Sequence, residues 1–326
     1  MVHIAFLMDP IASVNLKKDS TLAMIRAALR RGWRVSYLEQ RDLAWKDDRP
    51  TAVLRDLTLD DGFLEDLDPA RAGTDWYRLG EPAEADPETV DVLMMRKDPP
   101  FDMEYIYTTY LLERIEARGT VVVNAPGSLR DCNEKFFATE FTDCVPPLMV
   151  SKRPDQLLAF HSEHGDVVYK PLDGMGGTDI FRVRRDDPNL HVVIESLTRL
   201  GQRRIMAQKY IPEIEDGDKR ILLIDGEPVD YALARIPMPG ELRGNLAAGG
   251  TGVGRPLTDR DRFIASRVGP ELKRRGLLFA GIDVIGDYLT EINITCPTCI
   301  RELDAQFSLD IASMLMDKVE ARLAQR

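Results

Sequence analysis

The sequence predicts an open, mostly parallel α/β sheet domain over residues 1–123, followed by two α+β lobes over 124–210 and 211–326. Three features carry this reading. Strand and helix signals alternate at the start, the style changes from about residue 143 to short strands around helices, and a late hairpin carries two carboxylates and an amide.

Residues 2–8 are an apolar run suited to a buried strand and end at Asp9-Pro10; 20–31 are helical and stop at Gly32; 33–38 alternate like a strand. Together they form a βαβ unit. The polar, acidic stretch 47–87 has weak periodicity and reads as excursions from the sheet, after which come a strand at 90–95, a helix at 103–118 and a strand at 120–123. Functional loops in such a sheet follow the carboxyl ends of its strands, here 9–15 and 95–102. The second unit takes strands at 167–170, 180–183 and 205–208 with helices at 154–164 and 190–200. In the third, a hairpin at 220–235 turns at Asp225-Gly226, a helix spans 259–275, and a last helix lies near 309–323. Between them, the glycine-rich segment 237–255 is too flexible to pack as an element. It is a linker or a lid, and its place between site-bearing segments favours the lid.

The late hairpin is the most informative stretch. Glu291 and Asn293 lie two apart and share one face of a strand. A two-residue loop at Gly286-Asp287 would pair Ile285 with Tyr288 and set Asp283 opposite Thr290, whereas a three-residue loop would pair Ile285 with Leu289 and set Asp283 opposite Glu291. The apolar residues select the three-residue loop, because only then do Ile282, Val284, Ile292 and Ile294 share a buried face. Asp283, Glu291 and Asn293 then form either an exposed polar face or a hard-cation site of the kind that holds Mg²⁺ with substrate phosphates.

Composition narrows the function. The 326 residues include 54 acidic and 43 basic side chains, a formal charge of −11, which argues against a nucleic-acid or anionic-membrane partner. Anionic ligands therefore need locally basic sites. No stretch approaches a membrane span, and 2–8 is too short for a signal-peptide core, so a cytoplasmic protein is expected. Four cysteines make no disulfide framework in a chain of this length. Cys296-Pro297-Thr298-Cys299 has redox or half-zinc spacing but no second pair, and His161 and His164 are expected on a helix surface.

A local basic set exists. Lys170-Pro171-Leu172-Asp173-Gly174-Met175-Gly176-Gly177 follows a strand, and Gly174, Gly176 and Gly177 can take positive φ so that backbone N–H groups approach a phosphate while Lys170 supplies charge. A tight β-turn with a surface lysine is the plainer reading. The run is neither a Walker A loop nor a dinucleotide fingerprint. Lys135 falls on a predicted helix after Asn133-Glu134; Arg220 and Arg235 lie on opposite arms of one hairpin; Arg243 lies in the glycine-rich segment and can enter the site on closure. A phosphate-cradling loop, cations, oxygen ligands and a mobile cover suit phosphoryl transfer.

The order of these pieces resembles the ATP-grasp carboxylate-amine ligases, in which two α+β lobes clasp ATP. The chain resembles, over essentially its whole length, the bacterial glutathione synthetases. The similarity is carried by Met8-Asp9-Pro10-Ile11, Met95-Arg96-Lys97-Asp98-Pro99-Pro100-Phe101-Asp102, Ser128-Leu129-Arg130-Asp131-Cys132-Asn133-Glu134-Lys135 and the run from Lys170 through Gly177. Asp216-Gly217-Asp218-Lys219-Arg220, Arg243-Gly244-Asn245-Leu246-Ala247-Ala248-Gly249-Gly250 and Pro297-Thr298-Cys299-Ile300-Arg301-Glu302 match as well. The run 96–102 discriminates this family from other ATP-grasp ligases.

The resemblance implies that ATP phosphorylates the cysteine carboxylate of γ-glutamylcysteine and that glycine's amine attacks the acyl phosphate, giving glutathione, ADP and phosphate. It implies Lys135 and Lys170, with Gly174, Gly176 and Gly177, on ATP phosphates, Gln208, Lys209, Tyr210 and Ile211 beside adenine, and Asp218 near the ribose. Asp283, Glu291 and Asn293 would hold two Mg²⁺ ions, with Mn²⁺ able to substitute. Arg220 and Arg235 would stabilise the transferring phosphoryl, Arg243 would act on closure, Arg96 would meet a substrate carboxylate, and the assembly would be a homotetramer. Cys296 receives no role. The competing readings are another ATP-grasp ligase and a non-catalytic ATP-binding regulatory protein.

Overall fold

The computed structural model describes residues 1–241, 243, 244, 246 and 249–325. Its first sheet is built from β1 (His3–Met8), α1 (Ser20–Arg30), β2 (Arg34–Leu38), β3 (Leu43–Lys46), β4 (Arg49–Leu59), α2 (Asp61–Asp66), β5 (Tyr77–Leu79), β6 (Ala83–Ala85), β7 (Val92–Arg96), α3 (Met103–Glu116) and β8 (Val121–Val123). Strand order is β3-β4-β2-β1-β7-β8, with β5 and β6 on β4. The four strands β2, β1, β7 and β8 are parallel. Every residue of β1 is buried because its two faces enter different cores: Ile4 and Phe6 pack with Leu22 and Ile25 of α1, Ala5 and Leu7 with Tyr105 and Leu112 of α3.

One expectation here fails. Within 47–87, β4 is an eleven-residue strand of the sheet itself, antiparallel to β2. Its buried residues are Pro50, Ala52 and Leu54, then Leu57 and Leu59, so the period of two slips at Arg55-Asp56 and the alternation is broken.

After α4 (Pro126–Asp131) the second sheet follows, from β9 (Leu148–Ser151), α5 (Pro154–His164), β10 (Val167–Pro171), β11 (Phe181–Val183), α6 (Leu190–Thr198) and β12 (Ile205–Lys209), in the order β11-β10-β12-β9. Its core joins Leu157, Tyr169, Ile194 and Ile205. His161 belongs to that core and not to the surface: it is 3% exposed, with Nδ1 3.3 Å from the Tyr169 hydroxyl and Nε2 3.2 Å from Arg184 O. It shares the inward stripe of α5 with Leu157 and Phe160. Lys135 also departs from expectation. It lies in a turn, where the Asn133 side chain accepts from Phe136 N at 2.9 Å in the manner of a helix N-cap and opens only a turn leading into the short 3₁₀ segment Phe137–Glu140.

The third sheet contains β13 (Asp218–Ile224), β14 (Glu227–Ile236), β15 (Thr251–Pro256), β16 (Phe279–Ile285) and β17 (Tyr288–Asn293), in the order β15-β14-β13-β16-β17, with α7 (Asp259–Arg274), α8 (Ile300–Phe307) and α9 (Ile311–Leu323). The end of the glycine-rich segment is therefore a strand, β15, paired along β14. Of the remainder, Leu242, Asn245, Ala247 and Ala248 lie outside the described residues.

The first and third units share their cores. Leu222, Leu278, Ile311, Leu315 and Met316 pack in one cluster with Ile4, Phe6 and Ile25. Arg31 of the first unit donates to Ser313 O at 2.9 Å, and Asn124 donates to Phe279 O and Ile294 O while accepting from Phe279 N. Among the described residues no helix is long and apolar enough to cross a membrane.

Candidate active site

The β16–β17 turn has two residues, Gly286 and Asp287, pairing Ile285 with Tyr288 and Val284 with Leu289. The expected three-residue loop is thus not formed. A bulge beyond Leu289 takes up the extra residue, so that Asp283 still faces Glu291 and Ile282 faces Ile292. The turn chemistry of Gly286-Asp287 and the burial of Ile282, Val284, Ile292 and Ile294 are both satisfied in this way.

Strand β13 lies between β14 and β16, which places Arg220 beside Asp283 and Asp218 beside Arg235. Asp283 is 2% exposed; Oδ2 accepts from Arg220 at 3.0 Å and from Arg235 at 2.8 Å, and Oδ1 accepts from Arg220 Nε. Burial pushes its carboxyl up, but the two guanidinium groups outweigh burial and hold it well below the usual range. Asp218 pairs with Arg235 through Oδ2, while its buried Oδ1 has no partner among the described residues. Burial and the neighbouring Asp283 raise the Asp218 carboxyl to about 6, against the pull of Arg235.

Lys135 joins two lobes. Its Nζ donates to Gly174 O of the glycine loop and lies 2.7 Å from Glu291 Oε1 on β17. Burial would lower its pKa, but Glu291 more than offsets this and the ammonium is held. Lys170, at the end of β10, has among the described residues only Thr290 O within reach, at 3.5 Å, and burial drops it to about 8 with Glu291 partly restoring it. In the loop itself, Gly176 and Gly177 adopt φ of +62° and +81°; Gly174 does not, but a Cβ there would meet Pro171 Cγ at 2.8 Å.

Lys135, Lys170, the glycine loop, Asp218, Arg220, Arg235 and Glu291 line one cavity of about 500 Å³ to which all three sheets contribute, whereas Asp283 lies behind Arg220 and Arg235 and is not part of its wall. Gln208, Lys209, Tyr210 and Ile211 form one wall. The amides of Lys209 and Tyr210 already donate to Pro147 O and Asp166 O, and that of Ile211 has no partner among the described residues. Arg96 comes from the end of β7, and Arg243, paired with Glu241 at 2.6 Å, from the glycine-rich segment. Among the described residues no three His, Cys, Asp or Glu side chains cluster as a metal site; the set here is two carboxylates with the Asn293 amide, whose nitrogen donates to Gly281 O and leaves its oxygen available.

Glu134 was not expected in this role. Its Oε1 accepts from Ile294 N, Thr295 N and Thr295 Oγ1, and its carbonyl accepts from Ile292 N, so it clamps the strand that carries Glu291 and Asn293. Its only signal in the sequence is its place beside Lys135. Cys296 and Cys299 are free thiols on the cavity wall, raised by burial.

Two family models match the chain in tandem: prokaryotic glutathione synthetase, N-terminal domain, over residues 2–130, and prokaryotic glutathione synthetase, ATP-grasp domain, over 134–308. The glutathione synthetase of Pseudomonas putida is 58% identical over 325 residues, covering 100% of this chain and 99% of that protein. That of Shewanella oneidensis is 53% identical and covers 100% of both. Among solved structures, D-cycloserine synthetase DcsG gives a TM-score of 0.67 at 16% identity, covering 98% of this chain and 99% of that one. The ATP-grasp ligase PsnB complexed with minimal precursor, Mg and ADP gives 0.61 at 16% identity, covering 98% of each. Those two likenesses concern the fold, which is ATP-grasp.

Proposed function

This chain belongs to the prokaryotic glutathione synthetase family, and from that membership we propose roles for the residues around its cavity. It is an ATP-dependent ligase that forms glutathione. A carboxylate resists attack until one oxygen becomes a good leaving group, so the cysteinyl carboxylate of γ-glutamylcysteine first takes the γ-phosphoryl of ATP. The amine of glycine then attacks the acyl phosphate, and phosphate departs.

Lys135, Lys170 and the glycine loop with Gly174, Gly176 and Gly177 receive the phosphates of ATP. The free amide of Ile211, with Gln208, Lys209 and Tyr210, faces adenine, and the unpartnered Oδ1 of Asp218 accepts from a ribose hydroxyl. Arg220 and Arg235, fixed by Asp283 and Asp218, present fixed positive charge where charge develops during transfer. Arg243 and the segment around it cover the acyl phosphate against water.

The donor set fits Mg²⁺. Glu291 and the free oxygen of Asn293 are hard oxygen ligands, and Asp283, with about four lone-pair sites of which three meet guanidinium groups, retains one. Two ions, replaceable by Mn²⁺, would neutralise the transferring phosphates. We further propose a cytoplasmic homotetramer, with the three units divided at residues 123 and 210.

The observation that carries these assignments is the convergence of Lys135, Glu291 and Gly174 O on one point of the cavity. The purified protein should release ADP only when Mg²⁺, γ-glutamylcysteine and glycine are all present, with glutathione as product. Nucleotide binding without turnover would refute the enzyme reading, and turnover with another acid or amine would refute the substrate pair.

A further inference from the structure

Three consecutive residues tie the glycine loop to the strand that carries Glu291 and Asn293. Asn133 Nδ2 donates to Leu172 O at 3.0 Å and Lys135 Nζ donates to Gly174 O, so both flanking side chains reach the loop after β10. The side chain between them turns to the third sheet instead. Glu134 Oε1 accepts from Ile294 N at 2.8 Å, Thr295 N at 3.0 Å and Thr295 Oγ1 at 2.9 Å, and the Glu134 carbonyl accepts from Ile292 N at 2.9 Å. These bonds bracket Asn293 and begin one residue past Glu291. Asn124 Nδ2 holds the same strand end through Ile294 O at 2.8 Å.

A carboxylate is an unfavourable choice for a contact that only closes a strand. Glu134 lines the cavity within electrostatic reach of Glu291, and burial together with that second acid raises its carboxyl, against the pull of its bonds to Thr295 and Ile294. Backbone amides at a strand end are ordinarily satisfied by another strand, a neutral side chain or water, none of which sets one negative charge beside another. What the carboxylate supplies is a single oxygen able to hold three donors, because bonds to an ionised acceptor are roughly twice as strong as neutral ones. Lys135, the next residue, lies 2.7 Å from Glu291 Oε1. Residues 133–135 therefore hold the strand end, the Glu291 side chain and the glycine loop in one frame. Partners outside the ligand set that orient metal ligands act in this way.

We propose that Glu134 is a positioning residue: by fixing the end of β17 it aims Glu291 and Asn293 at the cation and keeps them in register with the glycine loop across the boundary between the two lobes. It acts through Ile294 and Thr295 and touches neither metal nor substrate. This rests on the metal reading above.

The test measures metal binding apart from turnover. Mn²⁺ is titrated into enzyme held in excess over ADP, and the free ion is followed by its electron paramagnetic resonance signal. Glu134→Ala should bind Mn²⁺ about 10- to 100-fold more weakly than wild type, the usual consequence of losing such a partner. Glu134→Gln keeps an acceptor oxygen in place and should lose no more than about threefold. Thr295→Val removes one of the three donors and should lose about three- to tenfold. In the coupled assay the Glu134→Ala defect should lie in kcat at low Mg²⁺ and shrink at high Mg²⁺, with the KM for γ-glutamylcysteine within about threefold of wild type. Wild-type Mn²⁺ affinity in Glu134→Ala overturns the proposal. Equal losses in the Ala and Gln variants also overturn it, because the charge itself would then act on the metal or the amine. Should Glu134→Ala fail to fold, an unchanged Mn²⁺ affinity in Thr295→Val overturns it as well. A wild type that takes up no more Mn²⁺ than ADP alone would instead overturn the metal reading on which the proposal rests.

Discussion

The two ends of the cavity treat charge in opposite ways. At the phosphate end Asp283 holds Arg220 and Arg235, Asp218 holds Arg235, and Glu291 holds Lys135. At the other end, where Ile300 N meets Ser20 Oγ, Arg96 and Glu302 form no ion pair among the described residues. An end that is to accept a triphosphate with its metals, as proposed, can keep all its cations but Lys170 neutralised and exchange partners on binding, since the ligand brings both signs in quantity. Charges left unsatisfied at the other end give selectivity instead, because only a ligand that matches them relieves their burial.

The largest effect expected from this contrast is at Glu291. Glu291→Gln keeps the size of the side chain but removes the charge that Lys135 and, as proposed, the metal share, and should lower kcat by at least about 1000-fold in a coupled ADP assay. A near-normal kcat would remove Glu291 from the metal site. Next, Asp283→Asn leaves two buried guanidinium groups short of a counter-charge and should destabilise the fold by about 3 kcal/mol in urea unfolding. Glu302→Gln, by contrast, should leave the unfolding midpoint unchanged or higher, because it removes a buried charge that has no partner. A large loss at Glu302 and none at Asp283 would invert the comparison.

A pH effect of intermediate size is expected at Lys170. With its pKa drawn down to about 8 in the empty site, binding of the triphosphate above that pH must take up a proton, so ATP affinity should fall up to about tenfold per pH unit from pH 8 upward. Equilibrium titrations should show the slope in wild type and not in Lys170→Met. The stability consequence has the opposite sign. The unfolded chain keeps this lysine charged up to about 10.5, so it binds more protons than the native state between pH 8 and 10.5, and stability should rise across that window. The smallest effect belongs to Gly176→Ala, which strains a φ of +62° where a Cβ would meet nothing within 4 Å. It should weaken ATP binding about fivefold with kcat at saturation unchanged, in line with roughly 1 kcal/mol for a left-handed residue.

Much of the architecture was legible where burial acts on consecutive residues. The run 4–8 is apolar throughout because both of its faces are covered, and Ile282, Val284, Ile292 and Ile294 were enough to set Asp283 opposite Glu291. The bulge that achieves this was not legible, since it involves no residue type that only a bulge can use. The ion pairs of Asp283 were hidden for another reason: they require β13 to lie against β16, a neighbour relation across 63 positions that no local pattern encodes. Lys135 was misplaced because its neighbours are adequate helix formers, while the helical turn that Asn133 caps runs only into the short 3₁₀ segment Phe137–Glu140. The bond from Ile300 N to Ser20 Oγ could not be read at all, because it depends on two helix ends meeting in space.

The packing of α9 has a consequence for how this protein is made. Ile311, Leu315, Met316 and Val319 complete a core whose other members include Ile4, Phe6 and Ile25, near the opposite end of the chain. During synthesis the sheet around β1 emerges from the ribosome well before α9, which supplies one layer of its covering. The early segment must therefore wait with apolar surface uncovered until α9 has left the exit tunnel.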